Sequence, residues 1–194
     1  MIETRLRDGT KVVVRPLTAA DRGALAEGYR RLSPESRYQR FWVRSGGVIG
    51  EAMLDRLLAV EPGKHAVWAV MDPARDFPGV GAASFWRSED EEEAEFSCTV
   101  LDADQRKGVG TLLLSLLWLE AMRLGIRKFV GYTMPENVSA IRWMRDTGAQ
   151  GEWDGYKVIF RWDLDDLEQL PATPAAVELA ERLAEFSERI LTQD

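Results

Sequence analysis

The stretch Thr99-Val-Leu-Asp-Ala-Asp-Gln105-Arg-Lys-Gly108-Val-Gly110-Thr-Leu-Leu-Leu114 reads as a strand that passes through a glycine-bearing loop straight into a long apolar helix. Such a junction makes an anion site. The first N–H groups of a helix have no intrahelical partner, and the macrodipole adds partial positive charge at the same end. Gly108 and Gly110 let a ligand approach the backbone closely, and Arg106 and Lys107 add two formal positive charges there. The spacing fits neither the long loop of P-loop nucleotide enzymes nor the G-x-G-x-x-G of a dinucleotide fold. Taken alone, it also reads as an ordinary strand-to-helix turn.

Upstream of the loop the sequence alternates. Ala94, Phe96, Cys98 and Val100 fall on one face, and Glu93, Glu95, Ser97 and Thr99 on the other, as the two-residue period of a strand requires. The apolar face, with Cys98 as inert packing, is expected to meet the core. Downstream, Val109 to Leu124 is apolar on nearly all sides, which predicts a helix buried against a sheet. Gly125 closes it and Ile126 to Thr133 reads as the next strand, so strand, helix and strand form a right-handed parallel crossover. Pro135-Glu-Asn137 leads into a second helix, through Ile141, Met144 and Arg145, stopped by Gly148. Gln150 to Trp153 and Lys157 to Trp162 then pair through Asp154-Gly155.

Toward the N-terminus, Arg5-Leu-Arg and Lys11 to Arg15 flank Asp8-Gly9 as a small hairpin. Thr18 caps a helix with Asp21 three residues on and a stripe of Leu25, Tyr29 and Leu32, and Ser33-Pro34 opens a second with Tyr38 and Phe41 on one face. After Gly46-Gly47, Ile49 to Val60 repeats a helical pattern with Met53, Leu57 and Val60 in register. His65 to Met71 and Val80 to Trp86 read as an antiparallel pair of strands, with His65 a surface or capping residue at the strand edge and Glu89 to Glu93 the solvated loop of the next hairpin. At the far end, Pro171 and Pro174 mark a linker before an amphipathic helix, Ala175 to Thr192, whose stripe is Leu179, Leu183, Phe186 and Ile190. The expected organisation is a main domain at 1–170 and a linker with a C-terminal helix at 171–194. That helix either packs on the domain or serves an interface, a homodimer among them.

At 194 residues, 45% apolar and with seven tryptophans, the chain is long enough for one well-buried domain. A net charge of -7 argues against a general nucleic-acid binder and suits a basic substrate. Cys98 is the one cysteine, so no intrachain disulfide can form and a reducing compartment is expected. One histidine and no Cys/His cluster at zinc spacing lead to the expectation of no metal site. The start carries no signal-peptide pattern and no segment approaches a membrane span, so the expectation is a cytoplasmic protein without a membrane partner.

Gln105-x-x-Gly108-x-Gly110, set between a strand and a leucine-rich helix, resembles the acyl-CoA pyrophosphate loop of the GNAT superfamily of N-acetyltransferases. Asn137 and Gly148, eleven positions apart, stand where that superfamily opens and follows the helix after its fifth strand. Leu32-Ser-Pro-Glu-Ser-Arg-Tyr38-Gln-Arg-Phe41 is similar to a stretch near the start of the acetyltransferase domain in bacterial protein-lysine acetyltransferases. The resemblance implies an α/β fold: a mixed, mostly antiparallel twisted sheet flanked by helices and split near Val100, here with an extra C-terminal helix. It implies acetyl-CoA as the acyl donor, with the backbone around Val100 pairing with the pantetheine arm. Gln105, Arg106, Lys107, Gly108, Val109 and Gly110 would hold the pyrophosphate, and Thr111 would add a hydroxyl. Asn137 is either a pantetheine contact or a helix cap.

Acyl transfer from a thioester to an amine needs a neutral amine, a donor for the developing oxyanion and a proton source for the leaving thiolate. A carboxylate near the acyl group can take the amine's proton and attract a cationic acceptor. Glu95 is the candidate, from its place on the polar face of the strand before the loop, with Glu93 as fallback. Ala94-Glu95-Phe96 also matches the context of the general base in the bacterial protein-lysine enzymes. One position departs from the family: Met144 stands where many members carry a tyrosine that protonates the thiolate, and methionine has no proton to give. The expected function is acetyl-CoA-dependent acetylation of a primary amine, whether a protein lysine, a small molecule or a polyamine. The alternative is a catalytically impaired acyl-CoA-binding or interaction module of the same fold.

Overall fold

Asp8-Gly9 turns the chain because Gly9 takes φ +86, a conformation that only glycine adopts at little cost. This pairs β1 (Ile2–Arg5) antiparallel with β2 (Lys11–Pro16). A computed structural model of the chain describes residues 1–42, 46–89 and 92–192. After a 3-10 turn at Ala19–Asp21, where Thr18 N–H donates to the Asp21 carboxylate at 2.8 Å, come α1 (Arg22–Arg31), α2 (Pro34–Phe41) and α3 (Glu51–Leu58). Then follow β3 (His65–Met71), β4 (Gly79–Arg87), β5 (Glu93–Val100) and α4 (Val109–Arg123). The chain goes on through β6 (Lys128–Thr133), α5 (Val138–Asp146), β7 (Gln150–Trp153), β8 (Val158–Asp163) and α6 (Pro174–Leu191).

The strands form one eight-stranded sheet in the order β1-β2-β3-β4-β5-β6-β8-β7. β5 and β6 run parallel, as the crossover through α4 requires, while β1–β2, β2–β3, β6–β8 and β7–β8 are antiparallel. This is the mixed, mostly antiparallel sheet expected. The parallel register covers Glu93–Lys128, Ala94–Phe129 and Glu95–Val130, while β5 continues to Val100 and β6 to Thr133. The chain makes two compact units, Met1–Ser84 with Cys98–Leu113, and Phe85–Ser97 with Leu114–Asp194.

In the first unit, Leu17, Leu58, Val67 and Ala69 form one apolar cluster, and Tyr29, Ile49 and Leu54 another. The inward face of α3 is therefore Leu54 and Leu58, whereas Met53 and Val60, expected inside, are exposed. In α2, Phe41 packs edge-on against Tyr29 with ring centroids 5.0 Å apart, yet the helix's buried residue is Arg37. Its Nη1 donates to the carbonyls of Leu32 at 2.6 Å and Arg30 at 3.4 Å, which closes the C-terminal end of α1. His65 is buried rather than at the surface, and its Nδ1 lies 3.0 Å from the carbonyl of Ala59, just past α3. It serves that helix end, and burial lowers its pKa.

The second unit is built on aromatics. Phe96 packs tilted against Phe129 and edge-on against Trp162, with centroids 5.4 and 5.6 Å away, and Phe85 and Trp143 join the cluster. The Trp118 indole N–H on α4 donates to Leu164 O at 3.1 Å. α6 buries Leu179, Leu183, Phe186 and Ile190, the expected stripe. Pro174 belongs to the helix rather than to a linker: it is the first helical residue, and Thr173 caps it by accepting from Ala176 N–H at 3.1 Å. Of the acidic run between β4 and β5, Asp90 and Glu91 lie outside the described residues. The hairpin is closed by Ser88, whose N–H and hydroxyl donate to Glu93 O at 2.9 and 2.7 Å.

Candidate functional site

In the first unit, β5 ends at Val100, a 3-10 turn covers Asp102–Asp104, and α4 starts at Val109. Leu101 N–H donates to Val80 O at 3.0 Å, which ties the strand end to β4. A Cβ on Gly81 would stand 2.9 Å from Thr99 O and 3.1 Å from Val109 Cγ1, so only glycine lets β4 pass this close to the β5 end and the helix start. Gly108 takes φ +87 and its carbonyl accepts from Leu112 N–H at 2.9 Å, which makes it the cap of α4. A glycine cap brings no side chain to the first-turn N–H groups, and the fifteen-residue helix points its positive end there. The geometry and chemistry of the Gln105–Gly110 backbone fit an anion.

The side chains divide differently from the sequence expectation. Arg106 is exposed and left-handed at φ +64. Lys107, expected as a second phosphate cation, donates its ammonium to Asp104 at 2.9 Å, so its charge is matched inside the chain. Gln105 Nε2 lies 3.4 Å from Val100 O. Thr111 is buried in the first turn of α4. The sequence reading passed over the carboxylates of the 3-10 turn. Asp102 accepts from Ser33 N–H at 2.9 Å, Ser33 Oγ at 2.8 Å and Ser36 Oγ at 2.7 Å, and burial, which alone would raise its pKa, is outweighed by these bonds. Arg40 Nε donates to Thr99 Oγ1 at 3.0 Å. The Leu32 to Phe41 stretch thus braces the strand end that leads into the loop. Cys98, on the same strand end, is half-buried rather than part of the core as expected, and desolvation of its thiol pushes the pKa up to about 12 against the opposing charge of Arg40.

In the second unit, β5 alternates as expected, with Ala94 and Phe96 buried and Glu95 exposed. Glu95 pairs with Val130, and Tyr132 lies two residues further along β6 on the same face. Burial, then the carboxylates of Glu95 and Glu93, raise the pKa of the Tyr132 phenol against the opposing charge of Arg161. Asn137 Oδ1 accepts from Ala140 N–H at 3.1 Å and so caps α5, which Gly148 ends at φ +94. Met144 is buried on α5, within reach of Gly131 on β6. Among the described residues, no group of three or more His, Cys, Asp or Glu could hold a metal ion, and no helix is long and apolar enough to cross a membrane.

Residues 11–150 match the family described as the Acetyltransferase (GNAT) domain. The chain belongs to the GNAT acetyltransferase family. Acetyltransferase Pat of Mycolicibacterium smegmatis is 25% identical over 192 residues, which cover 98% of this chain and 56% of that protein, so the chain spans about half the length of this curated relative. The crystal structure of the GNAT domain of S. lividans PAT superposes with a TM-score of 0.77 at 25% identity, over 84% of this chain and 96% of that one. YncA from Salmonella typhimurium, solved with its cofactor acetyl-CoA, shares the fold at a TM-score of 0.63 and 24% identity, over 83% of this chain and 98% of that one. Within this GNAT domain, Gly108 and Gly110 stand at the start of α4, and Asn137 at the start of α5.

Proposed function

We propose that the chain transfers the acetyl group of acetyl-CoA to a primary amine, with a protein lysine favoured over a small amine or polyamine. The observation that carries this reading is the Gly108-capped start of α4, whose first-turn N–H groups and dipole suit a pyrophosphate. Membership of the GNAT family supports acetyl-CoA as the donor. Gln105 to Gly110 hold the pyrophosphate through the backbone, Arg106 adds an exposed positive charge, and the β5 backbone near Val100 takes the pantetheine arm as a strand takes a neighbour. Asn137 spends its carbonyl oxygen on the α5 cap and keeps its NH2 group for pantetheine. The similarity of Leu32 to Phe41 to the bacterial protein-lysine enzymes supports a lysine acceptor, as does the net charge of -7.

Glu95 takes a proton from the acceptor ammonium, and the neutral amine attacks the thioester carbonyl carbon. The tetrahedral species loses the second nitrogen proton to water and collapses to the amide with cleavage of the C–S bond, so that CoA leaves as thiolate. Met144 gives that thiolate no proton, so water supplies it. The test is CoA release across lysine peptides, small amines and polyamines, alongside CoA affinity by calorimetry. Turnover in Glu95→Gln should fall about 100-fold or more, with CoA affinity kept within about twofold. Unchanged turnover removes Glu95 from the mechanism. A wild-type chain that binds CoA and acetylates none of the acceptors is a binding module, the reading that Met144 favours.

A further inference from the structure

Asp104 is fully buried, with 0% of its surface exposed, at the point where the 3-10 turn enters the loop. Its two oxygens accept from Arg75 Nη1 and Nη2, both at 2.7 Å, and one also accepts from Lys107 Nζ at 2.9 Å. Arg75 is itself fixed, because its Nε donates to Asp72 at 2.8 Å. Asp72 anchors the β3–β4 connection, donating its N–H to Pro78 O at 2.7 Å and accepting from Ala74 N–H at 3.0 Å. On the other side of the loop, Arg7 N–H donates to Lys107 O at 3.1 Å, a contact from the β1–β2 turn. The loop is therefore pinned at residues 104 and 107. Between the pins, Arg106 holds φ +64, a conformation that is strained for a non-glycine residue and persists only where its surroundings over-determine it.

A buried carboxylate beside a loop that receives an anion works against binding by charge alone. It also draws Lys107 inward, away from that anion. We infer that Asp104 is a positioning residue for the acyl-donor loop: clamped by Arg75, it fixes the Gln105–Gly110 backbone in the shape that presents its N–H groups to pyrophosphate. This rests on the pyrophosphate reading of the same loop. Arg75 supplies the fork geometry that a lysine cannot, and the donated hydrogen bonds hold the Asp104 carboxyl below its ordinary range, so the clamp stays charged at neutral pH.

Charge and geometry predict opposite signs, which makes the inference testable with coenzyme A as the probe. In calorimetric titrations, Asp104→Asn should weaken CoA binding about tenfold or more, although it removes a negative charge next to an anion. Arg75→Lys, which leaves the net charge unchanged and replaces a half-exposed side chain, should weaken it in the same direction. In turnover with a lysine peptide, the loss should fall on the KM for acetyl-CoA while kcat stays within about twofold. Unchanged or tighter CoA binding in Asp104→Asn, at a melting temperature that reports a folded chain, overturns the inference. Should Asp104→Asn fail to fold, Arg75→Lys decides alone: wild-type affinity in that variant overturns it. If the wild-type chain itself binds no CoA, it is the pyrophosphate reading that fails.

Discussion

Met144 holds a thioether, 8% exposed, at a position where the GNAT resemblance implies a tyrosine in many members. Its Cε lies 3.5 Å from the point where a Cβ on Gly131 would stand, and Trp162 Cζ3 lies 3.1 Å from the same point. A Met144→Tyr substitution must fit a ring into this packed corner. It should destabilise the chain by about 1–3 kcal/mol, read as a lower urea midpoint at constant slope, before any gain in turnover can show. An unchanged midpoint would mean that the corner has room the packing does not indicate. Cys98 gives a second residue-level expectation. With its thiol pushed up to about 12, it should react with an aromatic disulfide reagent at pH 8 far more slowly in the folded chain than in urea, and comparable rates would contradict so high a thiol pKa.

α6 behaves as a core element. Phe186 is fully buried in it, so Phe186→Ala should cost about 3–5 kcal/mol in equilibrium unfolding, whereas Val177→Ala on its exposed side should stay within about 0.5 kcal/mol. Comparable losses at both positions would put the packed face elsewhere. The stripe of this helix was legible because Leu179, Leu183, Phe186 and Ile190 repeat at a single 3.6-residue phase. In α3 the apolar residues Met53, Leu54, Leu57 and Leu58 occupy two adjacent phases, and only tertiary contact selects the inward pair, Leu54 against Tyr29 and Ile49 and Leu58 against Leu17, Val67 and Ala69. The strand, loop and helix at Val100 to Gly110 were likewise legible, since glycine and alternation are local signals. The grip on that loop was not. Asp102 finds Ser33 across 69 residues and Asp104 finds Arg75 across 29, and no local pattern encodes partners at such separations. Lys107 shows the consequence: its type and place suggested a phosphate cation, and a buried carboxylate three residues back claims its charge.

For the whole molecule, acid sensitivity can be traced to few groups because the chain has a single histidine. Burial, the largest cause, lowers the pKa of His65, the Ala59 carbonyl opposes this, and the nearby Arg56 charge adds to the lowering. The folded state therefore keeps His65 neutral where the unfolded chain, with an ordinary value of about 6.5, already binds a proton. A depressed folded pKa gives stability that is complete above about pH 6.5 and is lost as pH falls through the folded value, since the unfolded state then holds more protons. A second decline begins below about pH 4, where the carboxyls of the unfolded chain start to bind protons while Asp21 and Asp104, both lowered chiefly by hydrogen bonds from arginines, and Asp102, held down by its serine donors, stay charged in the folded state. Urea unfolding at intervals from pH 7.5 to 3 should thus show two separate losses. His65→Phe gives up the hydrogen bond to Ala59 and should be less stable at pH 7.5, yet its stability should be flat between pH 6.5 and 5, where the wild-type curve falls. A slope in that window that survives the substitution would assign the acid sensitivity to the carboxylates instead of to the buried imidazole.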